Sequence, residues 1–288
     1  MPWLWPLYSH HPLVVTAWGG DLLVMPRTSR SSRWLIRWAM RSADLVMAQS
    51  KAVLASAAEL GAARAKLFEI QYGINTDAFR PGLDTEPIRE QLGLGTGPVV
   101  YSPRAFKHTY NLLAIVEAIP MVLKQMPDCR FMFRKRSDFH DDDYEALVRR
   151  QVSELGVGHA VRILPSAPQE ELPPYYAIAD IVVSFPSHDS LSRSVLEAMA
   201  CGAFPIVSDL PALREWITDG ENGLILSSVE PQQIVDAILL ALSHKSMTEK
   251  ATQINRAIIE NSFSHSYWLK RLDELYRQAV AGKGHPHA

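Results

Sequence analysis

The sequence predicts an α/β protein in which parallel strands alternate with helices in two similar units. Three observations carry this expectation. Short apolar runs alternate with helical periodicity through most of the 288 residues, the pattern of repeated βα units. The length exceeds that of one typical domain and is enough to bury two cores. Finally, Ala43-Asp44-Leu-Val-Met-Ala-Gln-Ser50 echoes Ala179-Asp180-Ile-Val-Val-Ser-Phe-Pro-Ser187: a helix ends in Ala-Asp, an apolar strand follows, and serine opens the next turn.

Taken in order, the apolar runs place strands at 13–17, 45–48, 67–70, 99–102, 130–133, 161–164, 181–184 and 204–207, with helices in the intervals. Tyr72-Gly-Ile-Asn-Thr-Asp77-Ala-Phe-Arg-Pro81-Gly82 and Gly93-Leu-Gly-Thr-Gly-Pro98 bracket a polar stretch rich in turn residues. The boundary between units falls there, near 80–97, giving a first unit of 1–93 and a second of 94–263. From 264 to 288 the chain reads as a terminal helix and tail, since Trp268, Leu272, Leu275 and Tyr276 recur at helical spacing with charges between them.

Composition narrows the function. A net charge of -2 argues against broad nucleic-acid binding. Cys129 and Cys201 are the only cysteines. A disulfide framework and a cysteine zinc site are both excluded, and a reducing cytosol fits. The start, Met1-Pro-Trp-Leu-Trp-Pro6, lacks the basic residues and long apolar core of a signal peptide. His10-His11 and the tail histidines His285 and His287 have no further ligands nearby, so no metal is expected.

Residues 184–202 are the richest stretch. An apolar strand leads into a polar turn and the start of a helix, an arrangement that aims free backbone N–H groups and the positive helix end at one point, where an anion binds. Ser190, Ser192 and Ser194 bring hydroxyls to that turn, and Cys201-Gly202 closes the helix. Glu197 falls among Leu196, Ala198 and Met199, an apolar setting in which a carboxylate needs a partner. A ribose diol would serve.

The run 186–202, followed by Ile206-Val-Ser-Asp209, Arg214-Glu215-Trp216-Ile217 and Asp219-Gly-Glu-Asn-Gly223-Leu224, resembles the donor-binding region of GT4-type retaining glycosyltransferases. Ser102-Pro-Arg104 with Tyr110-Asn111, Gly73-Ile-Asn-Thr-Asp77-Ala-Phe79, and Thr16-Ala-Trp-Gly-Gly-Asp21 fall in the order of that family. The resemblance implies a GT-B fold of two Rossmann-like parallel-sheet domains, the N-terminal one incomplete here. It implies a nucleotide-sugar donor and a glycan or lipid-linked acceptor. Transfer would retain the anomeric configuration and use neither bound metal nor cofactor. In the family two carboxylates with seven residues between them mark the donor site, as do Asp189 and Glu197 here. By resemblance Glu197 takes the ribose hydroxyls, Asp189 faces the donor sugar and Arg104 holds the pyrophosphate, making these three the catalytic set. Lys107, Ser190, Leu191, Ser192, Arg193 and Ser194 complete the donor cradle, and Trp18, Gly19, Gly20 and Asp21 line the acceptor side. The leaving phosphate helps remove the acceptor proton, so Asp189 and Glu197 are not a glycosidase acid and nucleophile.

The chain departs from the family at four places. Asp189 stands where relatives usually carry Glu, Thr109 where many carry Lys, and Trp18 where many carry a catalytic His. The first unit holds about half of an acceptor domain, which implies a truncated copy or a complementing polypeptide. A catalytically silent sugar-nucleotide-binding subunit is therefore the alternative function. A Rossmann oxidoreductase is excluded because no Gly-x-Gly-x-x-Gly follows a strand. Arg27, Arg30, Arg33, Arg37 and Arg41 recur at near-helical spacing beside Trp34 and Trp38. They suit either the surface of an anionic membrane on the cytoplasmic side or a core helix with solvated arginines.

Overall fold

The computed structural model describes residues 11–71, 73–136 and 140–283. The N-terminal motif Met1 to Pro6, His10 of the first histidine pair, and the tail histidines lie outside them. Nine strands form two wholly parallel sheets among the described residues. The first contains β1 (Val14–Ala17), β2 (Leu45–Ala48) and β3 (Leu67–Glu69), in that order. The second contains β4 (Val99–Ser102), β5 (Arg130–Arg134), β6 (Val161–Leu164), β7 (Ile181–Ser184), β8 (Phe204–Ser208) and β9 (Leu224–Leu226), in the order β6-β5-β4-β7-β8-β9.

All eight expected strands are present, with ends moved by a residue or so. The ninth, β9, is only three residues long and exists by pairing with β8 (Ile206 with Leu224, Ser208 with Leu226). Such a short run carries no periodic signal. Gly223 lets it approach, since a Cβ there would lie 2.9 Å from the Pro205 carbonyl oxygen.

The internal echo has one structural meaning. Asp44 accepts a hydrogen bond from the Leu13 N–H at 2.8 Å, and Asp180 accepts one from the Val99 N–H at 2.8 Å. In both units, then, the aspartate that ends a helix ties down the start of the neighbouring strand. This satisfies a backbone donor that the ladder leaves open.

The second sheet reverses direction of progression at β4, which has β5 on one side and β7 on the other. Ligands of open parallel sheets bind in the crevice beyond the C-terminal strand ends at such a point. The segments after β4 and β7 are those that carry Arg104 and Asp189. Their loops are joined by Asn111, which donates to the Phe185 carbonyl at 2.8 Å, and by the Ser187 N–H, which donates to the Thr109 carbonyl at 2.8 Å.

The helices that matter for the site are α1 (Arg30–Ser42), α2 (Lys51–Glu59), α3 (Leu112–Gln125), α4 (Asp142–Glu154), α5 (Arg193–Cys201), α6 (Pro231–Ser243), α7 (Lys245–Ser262) and α8 (His265–Lys283). The polar stretch between the units is not wholly irregular, because a short helix, Glu86–Gln91, forms within it. The terminal helix α8 returns to the first sheet, where Leu275 packs with Leu45, Met47 and Ile70. The crossing is close. A Cβ on Gly73 would lie 2.2 Å from the His265 Cα, and the Ile74 N–H donates to the Phe263 carbonyl at 2.8 Å. A second link runs from Glu215, whose carboxylate accepts the Lys51 and Ala52 N–H groups at 3.2 Å each. A side chain from the second unit thus caps α2 of the first, at the positive helix end where a carboxylate is favoured.

Candidate active site

Arg104 follows β4 and is 9% exposed. Its Nη2 lies 2.9 Å from Asp189 Oδ2, its Nη1 donates to Ser192 Oγ, and Ser194 Oγ lies 3.4 Å from the same nitrogen. The guanidinium also stacks on Tyr110, with its carbon 4.1 Å from the ring centroid. Thus the turn after β7 and the arm after β4 meet at one cation. Serines at a helix start ordinarily cap it, and Ser192 does occupy the N-cap position of α5. Its hydroxyl makes no cap hydrogen bond and turns instead to Arg104 and Ser194, 2.9 Å away. The first N–H groups of α5 are left for another acceptor.

Glu197 is 3% exposed, on the inward face of α5. The partner its apolar setting requires comes from two directions. Gln169 donates to Glu197 Oε1 at 2.6 Å and Arg193, one turn earlier, donates to the same oxygen at 3.0 Å. Gln169 belongs to the short helix Gln169–Glu171 after β6, so residues from both sides of the sheet's centre hold this carboxylate. Nothing in the sequence spacing announces that pair.

These groups line one pocket of about 190 Å³, whose walls include Arg104, Tyr110, Arg134, Gln169, Tyr176 and Glu197, with Arg136, Arg193 and Ser194. Four arginines face one glutamate there, a strongly cationic balance. Arg134 and Tyr176, neither expected as site residues, form the deep wall and are 5% and 0% exposed. Burial, then the neighbouring Glu197 carboxylate, push the Tyr176 phenol well above its ordinary range, so it stays a hydroxyl. The run Arg134-Lys135-Arg136 directly after a strand was the available signal for the first; Tyr176 reads in sequence only as a core aromatic. Asp189 accepts from Arg104 through Oδ2 and from the Ser190 N–H through Oδ1 at 2.9 Å. Ser190 and Leu191 are buried beneath the turn. Lys107 is half-buried on the loop after β4, apart from the residues lining the pocket.

A profile of the family described as glycosyl transferases group 1 matches residues 84–260, which is more than half of the chain and contains the whole of this pocket. The chain belongs to that family. Among curated relatives of this GT4-type glycosyltransferase, the GDP-mannose-dependent alpha-(1-6)-phosphatidylinositol monomannoside mannosyltransferase of Mycolicibacterium smegmatis is 26% identical over 229 residues, covering 76% of this chain and 57% of the relative. The D-inositol 3-phosphate glycosyltransferase of Corynebacterium urealyticum is 26% identical over 247 residues, covering 82% and 57%. The chain therefore spans about half the length of the curated relatives it matches. Among solved structures, Anabaena HepE in complex with UDP-glucose aligns with a TM-score of 0.83 at 21% identity, over 93% of this chain and 72% of that one. A glycosyltransferase from Rickettsia africae aligns with a TM-score of 0.82 at 19% identity, over 97% and 73%. These likenesses establish the GT-B fold.

The residues expected on the acceptor side, Trp18 to Asp21, lie against the turn after β7. Gly19 has φ 110°, and a Cβ on it would stand 2.9 Å from the Ser190 nitrogen. Conformation and space both demand glycine. Gly20 faces His188, whose Nε2 would be 3.7 Å from an added Cβ. Asp21 accepts the Trp18 N–H at 3.1 Å and the Gly19 N–H at 2.9 Å, so its carboxylate shapes the turn, and Trp18 is 63% exposed.

The arginine row is shorter than its spacing suggested. Arg27 belongs to a separate short helix, Met25–Thr28, because Ser29 breaks the run and caps α1 by accepting the Ser32 N–H. Arg30, Arg33 and Arg41 are exposed on α1 and Arg37 is half-buried, while Ile36 and Met40 face the core. Trp34 is 66% exposed beside them. No helix among the described residues is long and apolar enough to cross a membrane. One group with metal-ligand types, His140, Asp142 and Glu145, lies outside this pocket. Its Glu145 carboxylate is already held by Lys135 at 2.7 Å and Arg149 at 2.6 Å.

Proposed function

We propose that the chain binds a nucleoside-diphosphate sugar in the pocket between Arg104 and Glu197 and serves a retaining glycosyl transfer. The observation that carries this reading is the convergence at the switch point: Arg104, the hydroxyls of Ser192 and Ser194, the start of α5 and the buried Glu197 around one cationic pocket. Arg104 and the helix N-terminus supply fixed positive charge where the leaving diphosphate develops negative charge, which supports transfer without a bound metal or other cofactor. Glu197, fixed by Gln169 and Arg193, accepts the ribose hydroxyls. Asp189 takes the donor sugar from the far side of the Arg104 pair, with Arg193 framing the cradle and Ser190 and Leu191 packed beneath it.

The acceptor enters beside the Trp18 to Asp21 turn, which packs against the turn after β7, and is a glycan or a lipid-linked sugar. One named relative supports that class, being a phosphatidylinositol monomannoside mannosyltransferase, while others named for D-inositol 3-phosphate keep a small polar acceptor in view. They leave the base open, because one is GDP-mannose-dependent whereas HepE was solved with UDP-glucose. The exposed arginines and Trp34 of α1 favour docking on an anionic cytoplasmic membrane surface; equal sedimentation with anionic and neutral vesicles at low salt would remove that part.

Calorimetry with UDP and GDP, paired with an assay of donor consumption in the presence of lipid and sugar acceptors, tests the whole. Micromolar diphosphate binding lost in both Arg104→Ala and Glu197→Ala supports the site. Unchanged affinity in both variants overturns it. Binding with no turnover under any condition would point to a silent subunit that needs a complementing polypeptide.

A further inference from the structure

We propose that the Asp189 carboxylate sets the preference of the site for a nucleotide sugar over the nucleoside diphosphate that transfer leaves behind. The inference rests on the donor-site reading above and adds which of the two diphosphates the site favours.

The cation assigned to the phosphates is already paired. Arg104 Nη2 lies 2.9 Å from Asp189 Oδ2, and side-chain exposure is only 10% for the arginine and 19% for the aspartate. A pair so enclosed is screened less than a surface one. Arg104 lines the pocket and Asp189 is not among the lining residues, which puts the carboxylate behind the guanidinium. A phosphate drawn to Arg104 therefore also meets a negative charge close behind it, and the two effects oppose each other.

Arg104 does not depend on that charge to keep its place. Nη1 donates to Ser192 Oγ, Ser194 Oγ lies 3.4 Å from the same nitrogen, and the guanidinium stacks on Tyr110 at 4.1 Å. Asp189 is itself fixed, because its other oxygen accepts the Ser190 N–H at 2.9 Å and a Cβ on Gly19 would stand 3.4 Å from its carbonyl carbon. It has little room to swing away when a phosphate arrives.

The two ligands differ in what they bring to this carboxylate. A nucleotide sugar brings hydroxyl donors, which an ionised carboxylate accepts, and its terminal phosphate is esterified. In transfer the bond from the anomeric carbon to the terminal phosphate oxygen breaks and its electron pair stays on that oxygen. The acceptor oxygen bonds to the sugar, and its proton passes through the leaving phosphate to solvent. A terminal phosphate with a second ionisation near about 6 is mostly doubly charged at neutral pH. The product has thus lost the hydroxyls and gained negative charge, so the carboxylate that favours the donor disfavours what remains.

Titration calorimetry of the unmodified chain and of Asp189→Asn, with UDP against UDP-glucose and GDP against GDP-mannose, tests the proposal. Asn keeps the size and an acceptor oxygen while removing the charge. In this variant the diphosphate that the chain binds should tighten by about fivefold or more. Its nucleotide sugar, which loses a charged acceptor, should gain less than about twofold or weaken. Asp189→Ser, also uncharged, should shift the ratio of the two affinities in the same direction. Unchanged or weaker diphosphate binding in both variants overturns the proposal and makes Asp189 a support for Arg104. An equal gain for diphosphate and nucleotide sugar overturns it too, since the sugar would then play no part. If neither ligand binds the unmodified chain, the donor-site reading itself fails, an outcome distinct from the others.

Discussion

The six-stranded and three-stranded sheets contribute differently to the region where the turn after β1 packs against the turn after β7. The six-stranded side supplies side chains: Arg104, Arg134, Gln169, Arg193 and Glu197 all project from its strand ends or the segments just beyond them. The three-stranded side supplies backbone. Gly19 lies against Ser190 because it has no Cβ, and Asp21 uses its carboxylate to hold the Trp18 and Gly19 N–H groups. The difference teaches that the proposed binding chemistry is concentrated in one half while the other meets it through tightly packed backbone. Truncating a side chain should therefore harm affinity on one side, and adding an atom should harm geometry on the other.

The largest expected effect breaks the chemical side. Arg104→Ala should weaken nucleoside diphosphate binding by about 2–5 kcal/mol, because it removes the proposed phosphate donor and leaves Asp189 without its ion-pair partner. Calorimetry reads this directly. Next, Gly19→Ala should cost about 1–3 kcal/mol of stability through the positive φ and the contact with Ser190. Thermal melting should show the loss while diphosphate affinity stays within a few-fold of the parent; a loss as large as that of Arg104→Ala would erase the contrast between the two sides.

Glu215→Ala removes the carboxylate of the second unit that caps α2 of the first. About 1 kcal/mol of melting stability should go with it, and Glu215→Gln, which keeps an acceptor, should recover part. The smallest effect concerns Glu145, which anchors Lys135 and His140 at the ends of the segment after β5. Burial opposes its charge, but Lys135, Arg149 and His140 hold its carboxyl below the ordinary value of 4.5. A lowered folded-state value means stability that is present above the unfolded value and lost as pH falls through the folded one. Melting temperature should therefore decline on the acid side of 4.5, and Glu145→Gln, which starts lower near neutrality because it lacks that contribution, should decline less steeply there.

Much of this was legible in the sequence, and the parts that were not share a cause. The eight expected strands are runs whose apolar character is local, whereas β9 depends on the neighbour it pairs with. Glu197 was recognisable as a carboxylate in need of a partner, yet its partner Gln169 lies 28 residues earlier and meets it only through the β6 loop. The serines at 190, 192 and 194 were recognisable as turn hydroxyls, but Ser192 abandons the capping role because Arg104, 88 residues away, offers a charged donor. Arg27 shows the reverse: spacing grouped it with the row on α1, and Ser29, a strong cap, separated it.

By itself the sequence determined the alternation of strands and helices, the pairing of each Ala-Asp helix end with the next strand, and the family resemblance of the donor turn. These follow from local hydrophobicity and turn chemistry, which adjacent residues encode together. Tertiary structure alone decided the strand order that puts a switch point at β4, the ion pair between Arg104 and Asp189, and the burial of Arg134 and Tyr176 on one wall. The physical reason is distance along the chain. Each of those features is a contact between segments tens of residues apart, brought together by the burial of apolar strands, and no local pattern records which segments will meet.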